Sequence, residues 1–311
     1  MISSRGFARA AVLIFASVWC SDAVADYEAA LFGVGNSTPC ADGSLQYADD
    51  AVGSFRDSLT SLFGPDYDQI VENLNTAVDP RDWIDSSVWI TGTSYGQDHV
   101  DPYGTDFADV VFIYTHGGRT CSPAYQSAIV MGDSYPETNQ CYITLTRDYS
   151  TTPYSGGQIK LGDVDTNALL IFGCGVLQWC MHKKPLALQQ PPSFLDLDGG
   201  DTGTQLSLVN GFHGIANVGF WMANDLDSYG NDSHENGLGD NWIDHFTDIN
   251  SGSNDDNCAV SIEFNDGSTT YRGDMYQYGG LFDFLSTGPN HANETYWRIV
   301  GCDPPDGEAL P

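Results

Sequence analysis

The sequence predicts an α/β fold with a mostly parallel central sheet, on three observations. Three segments, "ADVVFIYTHGG" (108–118), "NALLIFGCG" (167–175) and "QLSLVNGFHG" (205–214), are short apolar runs. A run apolar on both faces suits a buried parallel strand, which has no solvated side. Each run closes on glycine beside a histidine or cysteine, and the chain between and around the runs carries helical spacing or loop chemistry. That alternation is expected of an α/β domain.

The elements follow in order. Arg5 and Arg9 flank the start of the apolar stretch 10–19, and Ala23 and Ala25 supply small residues for cleavage. This is the pattern of a secretory leader over residues 1–25, leaving one domain over residues 26–311 with acidic loop insertions. The stretch is too short for a membrane helix, and no later one approaches the roughly 20 apolar residues required. Trp19 is too large for lipoprotein processing at Cys20. In segment 45–64, Leu45, Ala48, Val52, Phe55, Leu59 and Leu62 recur every three or four residues, which predicts a helix stopped by Gly64-Pro65. Segment 66–77, "DYDQIVENLNTA", reads as a second, weaker helix. Segment 86–94, "SSVWITGTS", is strand-like.

The buried run 108–118 comes next, and "CYITLT" (141–146) offers a short strand before the run 167–175. Residues 191–203 read as an inserted loop, ahead of the third run. Downstream, "NWIDHFTDI" (241–249) is helical, with Trp242, Ile243 and Phe246 on one side, and "CAVSIEF" (258–264) is a late strand.

Charge narrows the partners. The chain holds 42 acidic against 11 basic residues and carries a formal net charge of −31, with lysine only at 160, 183 and 184. Such a surface repels nucleic acid and anionic lipid, so neither is an expected partner. It suits an extracellular or periplasmic setting, or binding of divalent cations. Sequons at Asn36, Asn231 and Asn293 matter only in a eukaryotic secretory route.

Eight cysteines minus Cys20 in the leader leaves Cys40, Cys121, Cys141, Cys174, Cys180, Cys258 and Cys302. The number is odd, so disulfides within the chain leave at least one thiol over. In α/β sheets, functional groups gather at the carboxyl ends of strands, where His116, Cys174 and His213 are all expected. A thiolate is the reactive form of cysteine, and a nearby imidazole helps generate it. Gly173 and Gly175 give the chain turning room at Cys174. Gly117 can lend an unobstructed N–H which, with that of Cys174, forms an oxyanion hole. Two alternatives stand beside this dyad: His213 as the base, and Cys174 in a disulfide, for example with Cys180.

The ordered pair "VVFIYTHGG" and, 58 residues from His116 to Cys174, "ALLIFGCG" resembles the caspase–legumain–gingipain clan of cysteine peptidases. The separation is near the roughly 50 residues given for caspases. The resemblance implies a three-layer α/β/α, caspase/hemoglobinase-like fold and hydrolysis of a peptide or protein substrate through a thioester acyl-enzyme. It also implies His116 as acid and base, Cys174 as nucleophile and Gly117 as oxyanion donor. It spans about residues 108–177. The caspase signature of Gln-Ala before the cysteine is replaced by Phe172-Gly173, and no specificity pocket transfers.

No cofactor is required by this chemistry. Structural calcium is a separate expectation at "DLDGGD", through Asp196, Asp198 and Asp201, with "DLDSYGND" (225–232) as a second Asp-Gly loop. Neither completes the EF-hand pattern, and ordinary solvated loops read the same way. His234, Glu235 and His245 lack zinc spacing. The competing functional class is a non-catalytic secreted α/β binding protein that keeps the fold, with calcium stabilising it.

Overall fold

The computed structural model describes residues 27–35, 45–60, 67, 69–83, 89–91, 94–95, 97, 104–120, 126–132, 141–144, 166–177, 206–212, 216, 219, 221–234, 236–247, 258–265 and 296–301. The strands are β1 (Glu28–Gly33), β2 (Gln69–Leu74), β3 (Trp89–Thr91), β4 (Ser94–Tyr95), β5 (Val110–Tyr114) and β6 (Gly117–Thr120). They continue as β7 (Gln126–Val130), β8 (Tyr142–Thr144), β9 (Ala168–Phe172), β10 (Leu208–Phe212), β11 (Ala259–Asn265) and β12 (Tyr296–Gly301). The helices are α1 (Ala48–Leu59), α2 (Met222–Asp232) and α3 (Leu238–Phe246).

Seven strands form the main sheet in the order β12-β11-β10-β9-β5-β1-β2. The five from β10 to β2 are mutually parallel, while β11 runs antiparallel to both β10 and β12. The class is therefore α/β with a mostly parallel sheet. The parallel strands follow the doubly wound order 2-1-3-4-5, reversing direction between β1 and β5. β3–β4 and β6–β7–β8 form two smaller antiparallel sheets.

Alternate side chains of the central strands enter two separate cores. Val110, Phe112 and Tyr114 of β5, with Leu170 and Phe172 of β9, join Phe55, Leu226, Trp242 and Phe246 of the three helices. Val111, Ile113, Leu169 and Ile171 join Val78, Trp83, Ile129, Val176 and Leu177 on the opposite face. The handedness of parallel crossovers accounts for this. The β1–α1–β2 crossover moves one way along the sheet and β5 to β9 to β10 moves the other, so right-handed connections must lie on opposite faces. Among the described residues all three α-helices cover the first face. The second is covered by Val78, by the 3-10 turn Pro80–Trp83, by β7 and by the turn after β9.

Helix α1 buries Ala48, Ala51, Val52, Phe55 and Leu59, the stripe its spacing predicts. Asp49 and Asp50 in its first turn and Arg56 in its last complement the helix dipole. Arg56 also reaches Glu72 of β2 at 2.8 Å. Two expectations are corrected. The α-helix expected over 66–77 is not formed by its described residues: 69–74 are β2, paired with β1 from Glu28↔Gln69 to Gly33↔Leu74. Ile70, Val71 and Leu74 mimic helical spacing, but pairing at the sheet edge decides the conformation. "DLDSYGND" is not a cation loop but lies in helix α2, where Met222, Leu226 and Tyr229 are buried at helical spacing. "NWIDHFTDI" falls on α3 as expected, with Trp242 and Phe246 buried.

Candidate active site

The site is built where β5 and β9 end side by side. Their register runs from Val110↔Ala168 to Tyr114↔Phe172. The Thr115 N–H donates to the Phe172 carbonyl at 3.0 Å, carrying the pairing one residue past the end of β5. Continued two residues beyond Tyr114↔Phe172, the register sets His116 beside Cys174, on strands about 4.8 Å apart. Residues two apart on extended chain share a face, so Cys174 follows Phe172 onto the helical side, where it packs partly buried against that core.

The local sequence explains the close fit. Gly175 has φ 60°, the left-handed conformation that lets the chain turn off β9 immediately after Cys174. Gly117 lies against the Cys174 peptide: a Cβ built there would stand 2.1 Å from the Cys174 carbonyl oxygen. Only glycine fits. The Val130 N–H donates to the His116 carbonyl at 2.9 Å, so the next pair, Gly117↔Ile129, is of the non-hydrogen-bonded kind. Its N–H groups point away from the partner strand, which leaves the Gly117 N–H unused by β7.

Cys174 carries a free thiol. Among the other described cysteines, Cys141 and Cys258 are disulfide-bonded. The alternative that bridges Cys174 is thereby overturned. Its sulfur accepts from the Ala216 N–H at 3.4 Å, and the Ala216 carbonyl lies 3.7 Å away as an acceptor for the S–H. His116 is half-buried, and its Nε2 is shielded from solvent without a hydrogen-bond partner. The Tyr114 hydroxyl, one pleat below, is buried and unpartnered too. Burial first, and then the charge of Cys174, hold the Tyr114 phenol well above its usual pKa.

The Gly117 backbone thus lies against that of Cys174, with His116 next to it in the chain and its Nε2 not bonded to the sulfur. The rival base His213, Cys180 and the calcium candidates Asp196, Asp198 and Asp201 lie outside the described residues. Among the described residues no group of three or more acidic, histidine or cysteine side chains converges as a metal site. His234 Nε2 contacts the Ser58 carbonyl at 2.7 Å and His245 Nε2 contacts Asp232 at 2.9 Å, so both serve packing between or beside helices. Sequence reasoning missed Ala216 and Tyr114. Ala216 follows the "GFHG" strand end by two residues, a hint that this loop returns to the thiol. In the sequence Tyr114 reads only as one residue of its apolar run.

No protein-family model matches the chain, and no curated protein matches its sequence. No helix among the described residues is long and apolar enough to cross a membrane.

Proposed function

We propose that the protein is a secreted cysteine hydrolase, a peptidase of the caspase–legumain–gingipain type, working through Cys174 and His116. The observation that carries this reading is the free Cys174 thiol just past the end of β9, near a histidine just past the end of β5 whose Nε2 has no hydrogen-bond partner. In the reaction, His116 takes the thiol proton and the sulfur attacks the scissile carbonyl carbon. His116 then returns the proton to the departing amine, leaving a thioester. Water attacks that thioester, with His116 again as base, releasing the acid and restoring the thiol. The Gly117 and Cys174 N–H groups receive the oxyanion. The sheet order and the two-sided core support a caspase/hemoglobinase-like three-layer fold. The disulfides at Cys141 and Cys258 support an oxidising, extracytoplasmic location.

The experiment is alkylation of the intact protein with iodoacetamide near neutral pH, mapped by mass spectrometry, with His116→Ala beside the native chain. Rapid labelling at Cys174 that slows in the variant upholds the dyad. A second reading, a binding protein that keeps the fold without chemistry, is favoured by the way Ala216 covers the sulfur. It predicts a thiol that labels slowly and indifferently to His116.

A further inference from the structure

In the main sheet β9 lies between β5 and β10, so Cys174, just past its end, has neighbours from two strands. From the β5 side comes the Gly117 backbone, with His116 next to it. From the β10 side comes Ala216, past the end of that strand. Ala216 directs both of its peptide groups at the sulfur: the N–H donates at 3.4 Å, and the carbonyl stands 3.7 Å away as acceptor for the S–H. The residue is 4% exposed and belongs to the same core on which Cys174 packs, which holds its backbone in place. The sulfur of a neutral thiol is a weak acceptor, whereas a buried peptide N–H normally has a full partner. The Ala216 N–H is therefore underused while Cys174 is a thiol. Hydrogen bonds to a charged group are roughly twice as strong as neutral ones, so the same contact is fully used once the sulfur is a thiolate. The carbonyl weighs the other way, but less. The S–H bond that ionisation removes is a weak one, and it is the longer of the two contacts.

We infer that the Ala216 peptide N–H is a catalytic hydrogen-bond donor that holds the Cys174 sulfur in its anionic form. This rests on the reading of Cys174 as nucleophile, and it divides the activation of the thiol between two neighbouring strands. The S–H proton passes to His116 Nε2, which has no hydrogen-bond partner to give up. The electron pair left on sulfur accepts the Ala216 N–H. When the sulfur bonds to carbon and loses its charge, that hydrogen bond weakens again. The other ionisable groups on elements packed around the sulfur are Tyr114 of β5 and, in the shared core, Tyr67 and Tyr229. Helices α2 and α3 add the half-buried Asp225 and His245, whose charges act on each other. Among the described residues, Ala216 alone is hydrogen-bonded to the sulfur.

Ala216→Pro removes this N–H and keeps the carbonyl. The readout is the rate of iodoacetamide labelling at Cys174 in the folded full chain, followed against pH. In that reaction the thiolate forms the S–C bond and iodide leaves with the C–I electron pair. Without the donor, the pH of half-maximal labelling is expected to rise by about one unit. A less stabilised thiolate is also the better nucleophile, with a Brønsted sensitivity of about 0.4–0.5, so the two curves should cross. The variant should label about threefold slower below the native midpoint and about threefold faster on the high-pH plateau. A peptide that merely covered the sulfur would leave the variant faster at every pH, and that result would overturn the inference. Coincident curves, or a variant slower at every pH, would overturn it too. A second measurement needs no proline and decides the matter if the variant does not fold. Ile215–Ala216 is the only Ile-Ala pair in the sequence, so carbonyl-13C isoleucine with 15N alanine singles out the Ala216 amide by NMR. Its resonance is expected to move at the pH of half-maximal labelling and to stay still in Cys174→Ser. An amide that ignores pH, or moves as far in Cys174→Ser, would overturn the inference. A native thiol that labels only on unfolding would remove the nucleophile and this inference with it. A reactive thiol that slows in His116→Ala beside an indifferent Ala216 amide would remove the inference alone.

Discussion

The two ends of the β5–β9 pair are built from similar ingredients and treated in opposite ways. At the amino ends, Asp109, Thr105 and Thr166 are buried and paired. Asp109 is 2% exposed; its Oδ2 accepts the Glu28 N–H at 3.0 Å and its Oδ1 the Asn167 side-chain amide at 3.4 Å. The Thr166 N–H goes to Asp106 and its hydroxyl to the Thr105 carbonyl, while the Thr105 hydroxyl goes to the Asp82 carbonyl. At the carboxyl ends, the Tyr114 hydroxyl and His116 Nε2 are shielded and unpartnered beside a free thiol. A buried polar group left without a partner costs about 1–3 kcal/mol, so a fold does not gather such groups for stability. The amino ends hold the sheet together, and the carboxyl ends are organised for something that arrives.

The sharpest way to break this contrast is at the amino ends. Asp109→Ala removes the buried acceptor of the Glu28 N–H and of the Asn167 amide. It should lower unfolding stability by about 2–3 kcal/mol in chemical denaturation, while the folded fraction still alkylates at Cys174 at the native rate. A loss of reactivity in the folded fraction would show that the two ends are not separable. Gly117→Ala tests the other end. The added methyl meets the Cys174 carbonyl, so the β5 and β9 ends must move apart. We expect hydrolytic activity to fall at least about tenfold, with a stability loss of about 1–3 kcal/mol from overpacking. Full activity in Gly117→Ala would mean that the close approach is incidental.

A smaller effect concerns Asp82, near the amino ends. Burial first, and then Asp79, raise its pKa to about 8. The native state therefore holds a proton that the unfolded chain releases near the usual carboxylate range. Between about pH 4 and pH 8 the native state binds more protons than the unfolded one, so this group makes stability fall as pH rises, by at most about 1.4 kcal/mol per pH unit. Asp82→Asn should flatten that part of the profile in melting scans across the window. An unchanged slope would show that Asp82 ionises freely.

The strands that carry the candidate site were legible because burial on both faces leaves an unmistakable run, as in 110–114 and 168–172. Their closing residues also marked His116 and Cys174. β1 was missed because "EAALFG" follows the leader-like stretch and includes neither valine nor isoleucine. Its conformation comes from lying between β2 and β5. β2 was misread because an edge strand can share the three-and-four spacing of a helix, and only the partner strand resolves the ambiguity. In α2 the signal was present in Met222, Leu226 and Tyr229, but the aspartates and Gly230 drew attention to calcium chemistry instead. The covering contact of Ala216 on the sulfur depends on how the chain returns from β10, which no local pattern states.

The central claim is that His116 serves the Cys174 thiol, and the rate of iodoacetamide labelling at Cys174 tests it most directly. Measured from pH 5 to 9 on the folded protein, labelling should be fast at neutral pH and should slow about tenfold or more in His116→Ala, with Cys174 the residue modified. Equal rates in the two proteins across that range, or a Cys174 that resists labelling until the chain unfolds, would contradict it.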